Sequence, residues 1–195
     1  MLLLAIYGSP RKNGNTDLML NAFTEGAAET GANVESLYVR DLRISGCVEC
    51  GGCDETGECV VRDDMDVIYP LLDRANAVVV ASPVFFYGVP GQLKLLIDRT
   101  QACYMRREIQ KVNGNRPASR PGFLLSAGAT RGKRLFEWPA LTVKYFYDAL
   151  GIEYTGELVF REIDDKGAIL RSPGTLDQCR TAGKEFVEKM KRAGD

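Results

Sequence analysis

Short apolar runs alternate with helix-spaced segments along this chain, and that alternation limits its fold more than any other feature. Leu2–Tyr7, Val34–Val39, Ala77–Ala81, Gly122–Ala127 and Ile152–Phe160 read as strands. The first and third are continuously apolar, as expected for parallel strands covered on both faces. Between them, apolar residues recur at helical spacing over Thr16–Thr30, Met65–Ala75, Gly91–Arg107, Arg134–Leu150 and Leu176–Lys191. Gly31 falls where a helix ends in the C′ position. Pro70 lies inside the second helical run and predicts a kink or a broken first turn. Strands alternating with helices mean a three-layer α/β sandwich with right-handed crossovers. For a five-stranded parallel sheet of this kind the expected order is 2-1-3-4-5. One domain is the natural count for 195 residues, with residues 47–59 as an inserted loop.

Such sheets bind ligands outside the carboxyl ends of the strands, at the switch point between the first and third. Three loops therefore matter. The first, Gly8–Thr16, joins a strand to a helix N-terminus. Its backbone N–H groups, the side chains of Ser9, Asn15 and Thr16, and the Arg11 guanidinium make a site suited to a terminal phosphate. It matches neither the P-loop nor the Gly-x-Gly-x-x-Gly spacing, so a phosphomonoester suits it better than a nucleoside triphosphate. Its plainer reading is a polar turn capped by Asn15 or Thr16. The second loop carries Pro83-Val84-Phe85-Phe86-Tyr87-Gly88. Three consecutive aromatics can wall a flat cofactor while glycine backbone approaches its polar edge. Packing on the core or on another subunit would also account for them. The third loop, Ser126–Gly132, is small and polar and could add backbone donors.

A fourth loop follows the second strand and leaves from the same edge of the sheet. Cys47, Cys50, Cys53 and Cys59 lie within it, separated by two, two and five residues, with Gly51, Gly52 and Gly57 between them. Four thiolates on a tightly turned loop can converge on one soft metal centre. The spacing approaches that of a 4Fe–4S ferredoxin loop, with a longer last gap and Val60 where a proline would stand. Zinc fits less well, because its paired ligands are usually separated by about 12 residues or more. A redox-active or vestigial cysteine loop is a further reading. A disulfide framework is disfavoured in a chain large enough to bury a core. Cys103 and Cys179 stand singly in helical patterns, as inert core residues do.

Net charge is −1, which gives no bulk attraction to nucleic acid or to an anionic membrane. No apolar run approaches the length of a membrane span. The apolar start, Met1–Tyr7, lacks a basic flank and reads as a buried strand, not a signal peptide. Free thiols then point to the cytoplasm. The chain contains no histidine, which excludes histidine bases, His-containing triads and His-ligated zinc.

Gly8-Ser9-Pro10-Arg11-x-x-Gly14-Asn15-Thr16 resembles the phosphate loop of the NADPH-dependent FMN reductase family. Ser82–Asp98 resembles that family's isoalloxazine loop and following helix. With the four spaced cysteines added, the chain is similar to the iron–sulfur flavoproteins of anaerobic archaea and bacteria, over roughly its first 110 residues. The resemblance implies a flavodoxin-like fold, FMN, one 4Fe–4S cluster on Cys47, Cys50, Cys53 and Cys59, and a homodimer or homotetramer. It implies electron transfer from a ferredoxin-like donor. Carried over by position, Ser9, Arg11, Asn15 and Thr16 would hold the phosphate, and Pro83, Val84, Phe85, Phe86, Tyr87 and Gly88 would face the isoalloxazine. An NAD(P)H-dependent FMN or quinone reductase without a working cluster is the alternative, and a redox sensor without turnover a third. The Gly91–Arg107 helix, with Leu93, Leu96, Ile97, Cys103 and Tyr104, could present a subunit interface or pack on its own sheet.

Overall fold

A computed structural model describes residues 1–114 and 119–194. Five parallel strands, β1 (Leu2–Tyr7), β2 (Asn33–Tyr38), β3 (Ala77–Pro83), β4 (Arg120–Ala127) and β5 (Ile152–Phe160), form one sheet in the order β2-β1-β3-β4-β5. This is the flavodoxin-like order expected from the sequence. β1 and β3 are adjacent, with Tyr7 opposite Ala81 at their carboxyl ends, so the switch point lies there.

The apolar runs are continuous because each strand feeds two cores. Along β1, Leu4 and Ile6 enter one core while Leu3, Ala5 and Tyr7 enter the other. β3 repeats this, with Val78 and Val80 on one face and Ala77, Val79 and Ala81 on the other. The period of two along a strand makes that division. α1 (Asn15–Glu29) and α6 (Thr175–Gly194) cover the second face. α2 (Met65–Arg74), α3 (Gly91–Arg99), α4 (Gln101–Val112) and α5 (Glu137–Leu150) belong to the first. Gly31 follows α1 with φ 87°, in the expected left-handed C′ position.

Three departures from the sequence reading have local causes. The helix expected over Gly91–Arg107 is two helices that meet at Thr100, where the N–H donates back three residues to Ile97 O at 3.0 Å and the hydroxyl donates to the same oxygen at 2.6 Å. α2 runs through Pro70, and its start is tightened by i→i−3 bonds, Asp66 N–H to Asp63 O and Val67 N–H to Asp64 O. Val39 ends the second strand early by entering a 3-10 turn, Val39–Asp41. Leu93, Leu96, Ile97 and Cys103 are buried in the chain's own core, so that face of α3 and α4 packs on its own sheet and only Tyr104 of the set is exposed. Among the described residues no helix is long and apolar enough to cross a membrane.

Candidate flavin and thiol sites

The first loop leaves β1 at the carboxyl rim. Gly8 N–H donates to Ala81 O at 2.8 Å; a Cβ on Gly8 would lie 2.8 Å from that oxygen and 2.6 Å from Leu93 Cδ2. Only glycine lets the strand end pass so close to α3. Ser9 is buried and its Oγ accepts the Arg11 N–H at 3.1 Å. α1 then begins without a side-chain cap, leaving the first-turn N–H groups of Asn15 and Thr16 without intrahelical partners. Such an end suits an anion. Thr16 is buried beside it, and the Arg11 side chain stands in solvent at the rim. Asn15 is committed elsewhere: its Nδ2 donates to Asp165 O at 2.8 Å, and its Oδ1 accepts the Ile169 N–H at 3.2 Å. It ties the segment before α6 to the rim.

An ion pair that the motif did not reveal lies beneath this loop. Arg40 Nη1 is 3.0 Å from Asp17 Oδ2, and donates to Ser9 O at 3.3 Å. Asp17 Oδ2 also accepts the Asn13 N–H at 2.9 Å, which holds Asn13 at φ 53°. The Arg40 guanidinium lies 4.7 Å from the centre of the Tyr38 ring. Its Nε is buried without a hydrogen-bond partner. Burial raises the Asp17 carboxyl above the usual carboxylate range, and the Arg40 charge only partly opposes this.

In the second loop, Val84 N–H donates to Ala127 O at 3.0 Å. Phe85 and Gly88 then exchange N–H···O bonds of 2.9 and 2.8 Å around a two-residue turn. Phe86 and Tyr87 both have positive φ, 47° and 61°, the backbone of a primed hairpin turn normally given to Asn or Gly. Two aromatic residues held there store roughly 1–3 kcal/mol of strain each. Phe85 and Tyr87 are about half exposed and Phe86 fully so. Packing on the chain's own core therefore does not explain these aromatics. Tyr87 reaches across to the third loop, where its hydroxyl lies 2.5 Å from where a Cβ on Gly132 would be.

The four spaced cysteines carry free thiols and line one hollow of about 280 Å³. Burial raises the Cys53 thiol, and the nearby charges of Asp54, Cys59 and Cys47 raise it further. Among the described residues no group of three or more Cys, Asp or Glu side chains is placed to hold a metal ion. Four soft thiols lining one hollow are a donor set chemically suited to a soft metal centre. Gly57 closes the loop at φ 69°, where a Cβ would sit 2.6 Å from Arg106 Cα.

Arg99 ties the two ends of this loop together. It is 1% exposed; Nη1 donates to Ser45 O at 2.9 Å and to Asp63 Oδ2 at 2.6 Å, and Nη2 donates to Val61 O at 3.0 Å. Asp63 also accepts the N–H groups of Ser45 and Met65, at 2.8 and 3.0 Å. Burial alone would raise the Asp63 carboxyl, but these bonds outweigh it and hold it below the usual range. Burial likewise pulls the Arg99 pKa down, and the bond to Asp63, with the charges of Tyr69 and Cys59, reverses that. Tyr69 Oη donates to Arg99 O at 2.9 Å and anchors the helix end. The sequence did hold a signal here. Arg99 is three residues after Leu96 and four before Cys103, a register otherwise apolar.

The two sites do not share the rim, contrary to the sequence expectation. The cysteine loop starts there, after the Val39–Asp41 turn, but then runs back along α3 and α4. Its hollow is lined by Arg99 and Ala102, and Gly57 O accepts from Arg106. Arg99 lies about 12 Å down the helix axis from Gly91 at the rim. Two larger hollows, about 880 and 890 Å³, lie elsewhere around Arg120 at the amino ends of the strands, and neither contains a predicted site residue. Cys103 and Cys179 are buried, and burial pushes both thiols up to about 12, as inert core thiols require.

Residues 1–135 match the model of a family described as NADPH-dependent FMN reductase. An iron–sulfur flavoprotein from Methanosarcina thermophila is 37% identical over 189 residues, covering 97% of this chain and 91% of that protein. An iron–sulfur flavoprotein from Archaeoglobus fulgidus is 42% identical over 99 residues, 51% of this chain, so the match spans only 45% of that relative. Among solved structures, an NAD(P)H:quinone oxidoreductase from Methanothermobacter marburgensis superposes with a TM-score of 0.72 over 95% of this chain and 96% of its own. At 18% identity that likeness is one of fold.

Proposed function

The chain belongs to the NADPH-dependent FMN reductase family, and from that premise we propose a redox flavoprotein that carries FMN at the rim and a 4Fe–4S cluster on the flank. Electrons would pass from a ferredoxin-type donor through cluster and flavin to an acceptor. The observation that carries this reading is the single hollow ringed by Cys47, Cys50, Cys53 and Cys59 in a chain that also keeps the rim loops. When bound, a flavin exchanges one or two electrons and a 4Fe–4S cluster one, so single electrons can be collected into pairs.

The chain's own residues bind and orient. Ser9, the α1 N-terminus, Thr16 and Arg11 hold the phosphate, with Arg40 neutralising Asp17 behind it. Asn15 fixes the α6 segment against the loop. The backbone from Pro83 to Gly88 would approach the ring of a bound flavin, and its aromatics would limit water. No side chain is required as acid or base. Because the thiol hollow lies down the flank from the rim, a homodimer or homotetramer can bring the hollow of one copy to the rim of another. Exposed Trp138, Leu141 and Tyr145 on α5 supply apolar surface for such contacts.

A second reading has one observation in its favour. Among the described residues no group of three or more Cys, Asp or Glu side chains is placed to hold a metal ion, which fits an NAD(P)H-dependent FMN or quinone reductase without a cluster. Anaerobic stopped-flow reduction separates the two. Rapid reduction by ferredoxin, with bleaching of a broad visible shoulder beside the flavin bands, is expected. Fast reduction by NAD(P)H of a protein with flavin bands alone would establish the second reading in its place.

A further inference from the structure

Arg99 is more than a structural clip. Both terminal nitrogens have partners, Ser45 O and Asp63 on one and Val61 O on the other. Its Nε is buried with no hydrogen-bond partner. Arg99 is also the one basic side chain among those that line the thiol hollow. An unpaired buried N–H is costly unless something accepts from it. The hollow is where sulfur acceptors stand, and four thiolates with a cluster between them carry net negative charge.

We propose that Arg99 is the positioning residue that tunes the cluster: it holds both ends of the cysteine loop and gives its Nε–H to a sulfur of the bound group. This rests on the cluster reading above. Hydrogen bonds to sulfur and nearby positive charge stabilise the more negative, reduced state, so Arg99 sets the reduction potential higher than the same loop would have without it. Asp63 keeps the guanidinium in place and limits its net charge, so the Nε–H bond carries much of the tuning.

The test uses full-length protein purified anaerobically from cells fed 15N-arginine, with the reduced cluster examined by pulsed electron paramagnetic resonance. A 15N coupling from one arginine is expected in the wild type and is expected to vanish in Arg99→Lys. Arg99→Lys keeps the charge but not the planar donor. The same variant is expected to lower the cluster midpoint potential in a redox titration while leaving the flavin midpoint and flavin content unchanged. A wild-type cluster signal without arginine coupling would overturn the proposal and leave the cluster intact. So would an unchanged potential in Arg99→Lys. Absence of any cluster signal from wild type that holds flavin would overturn the underlying reading as well. The wild-type measurement decides the matter even if the variant does not fold.

Discussion

Two loops of this chain stand on the same device, a buried arginine–aspartate pair, and the two pairs are balanced in opposite ways. Under the phosphate loop, Asp17 takes one backbone N–H and Arg40, and burial still raises its carboxyl. Under the cysteine loop, Asp63 takes two backbone N–H groups and Arg99, and its carboxyl is lowered. The first pair is under-compensated and sits behind a loop with open N–H groups. That loop offers a positive helix end and an arginine already neutralised by its partner. In the second pair the carboxylate is fully partnered, and the pair closes a loop base. On the proposed reading, a rim that admits and releases a ligand tolerates loose electrostatics, whereas a loop that holds four thiols in place does not.

The contrast is easiest to break through the carboxylates. Asp63→Ala leaves Arg99 buried without its partner and is expected to cost about 3–5 kcal/mol in urea unfolding. Asp17→Ala removes a carboxylate whose burial was already unfavourable, and its cost is expected nearer 2 kcal/mol. Equal costs would remove the distinction between the pairs. The same distinction has a pH signature. Asp63 is lowered on folding, so its contribution is complete above its unfolded pKa of about 3.9 and is lost as pH falls through the lower folded value. The stability gap between wild type and Asp63→Asn should therefore be constant near neutrality and close only below about pH 4. Asp17 is raised on folding, so protonation relieves a penalty: the gap between wild type and Asp17→Asn should move toward Asp17→Asn being the less stable as pH falls. Thermal melts across pH would show whether the two gaps move in opposite directions.

Smaller effects sharpen the picture at the rim. Arg11→Ala is expected to weaken FMN binding about tenfold, the lower range for a charge-assisted bond, because the side chain is exposed. Flavin-fluorescence titration of the apoprotein reads this, and iron content should be untouched. Phe86→Gly relieves one left-handed aromatic and is expected to stabilise the flavin-free protein by about 0.5–1 kcal/mol. An unchanged or lower melting temperature would show that the turn is not strained.

The sheet order was legible because it rests on periodicity. Leu2–Tyr7 and Ala77–Ala81 announced buried strands through unbroken apolar runs, and the four cysteines grouped by their spacing line one hollow. What was not legible depends on contacts distant in sequence. Arg99 meets Ser45 and Val61 across 54 and 38 positions, and no local pattern pairs them. Asn15 fits its motif, yet its side chain is held by a segment 150 residues away. The direction in which the cysteine loop folds, back along α3 and α4, follows from that same clamp. The break at Thr100 lay within helical periodicity on both sides.

The most direct test of the two-site account is iron and flavin analysis of the same anaerobic preparations of wild type and Cys50→Ala. The account predicts iron and FMN at about four to one in the wild type, as one 4Fe–4S cluster per flavin requires. In Cys50→Ala it predicts little iron and undiminished flavin. Wild-type protein replete in flavin but free of iron, or a variant that keeps its iron, would contradict it.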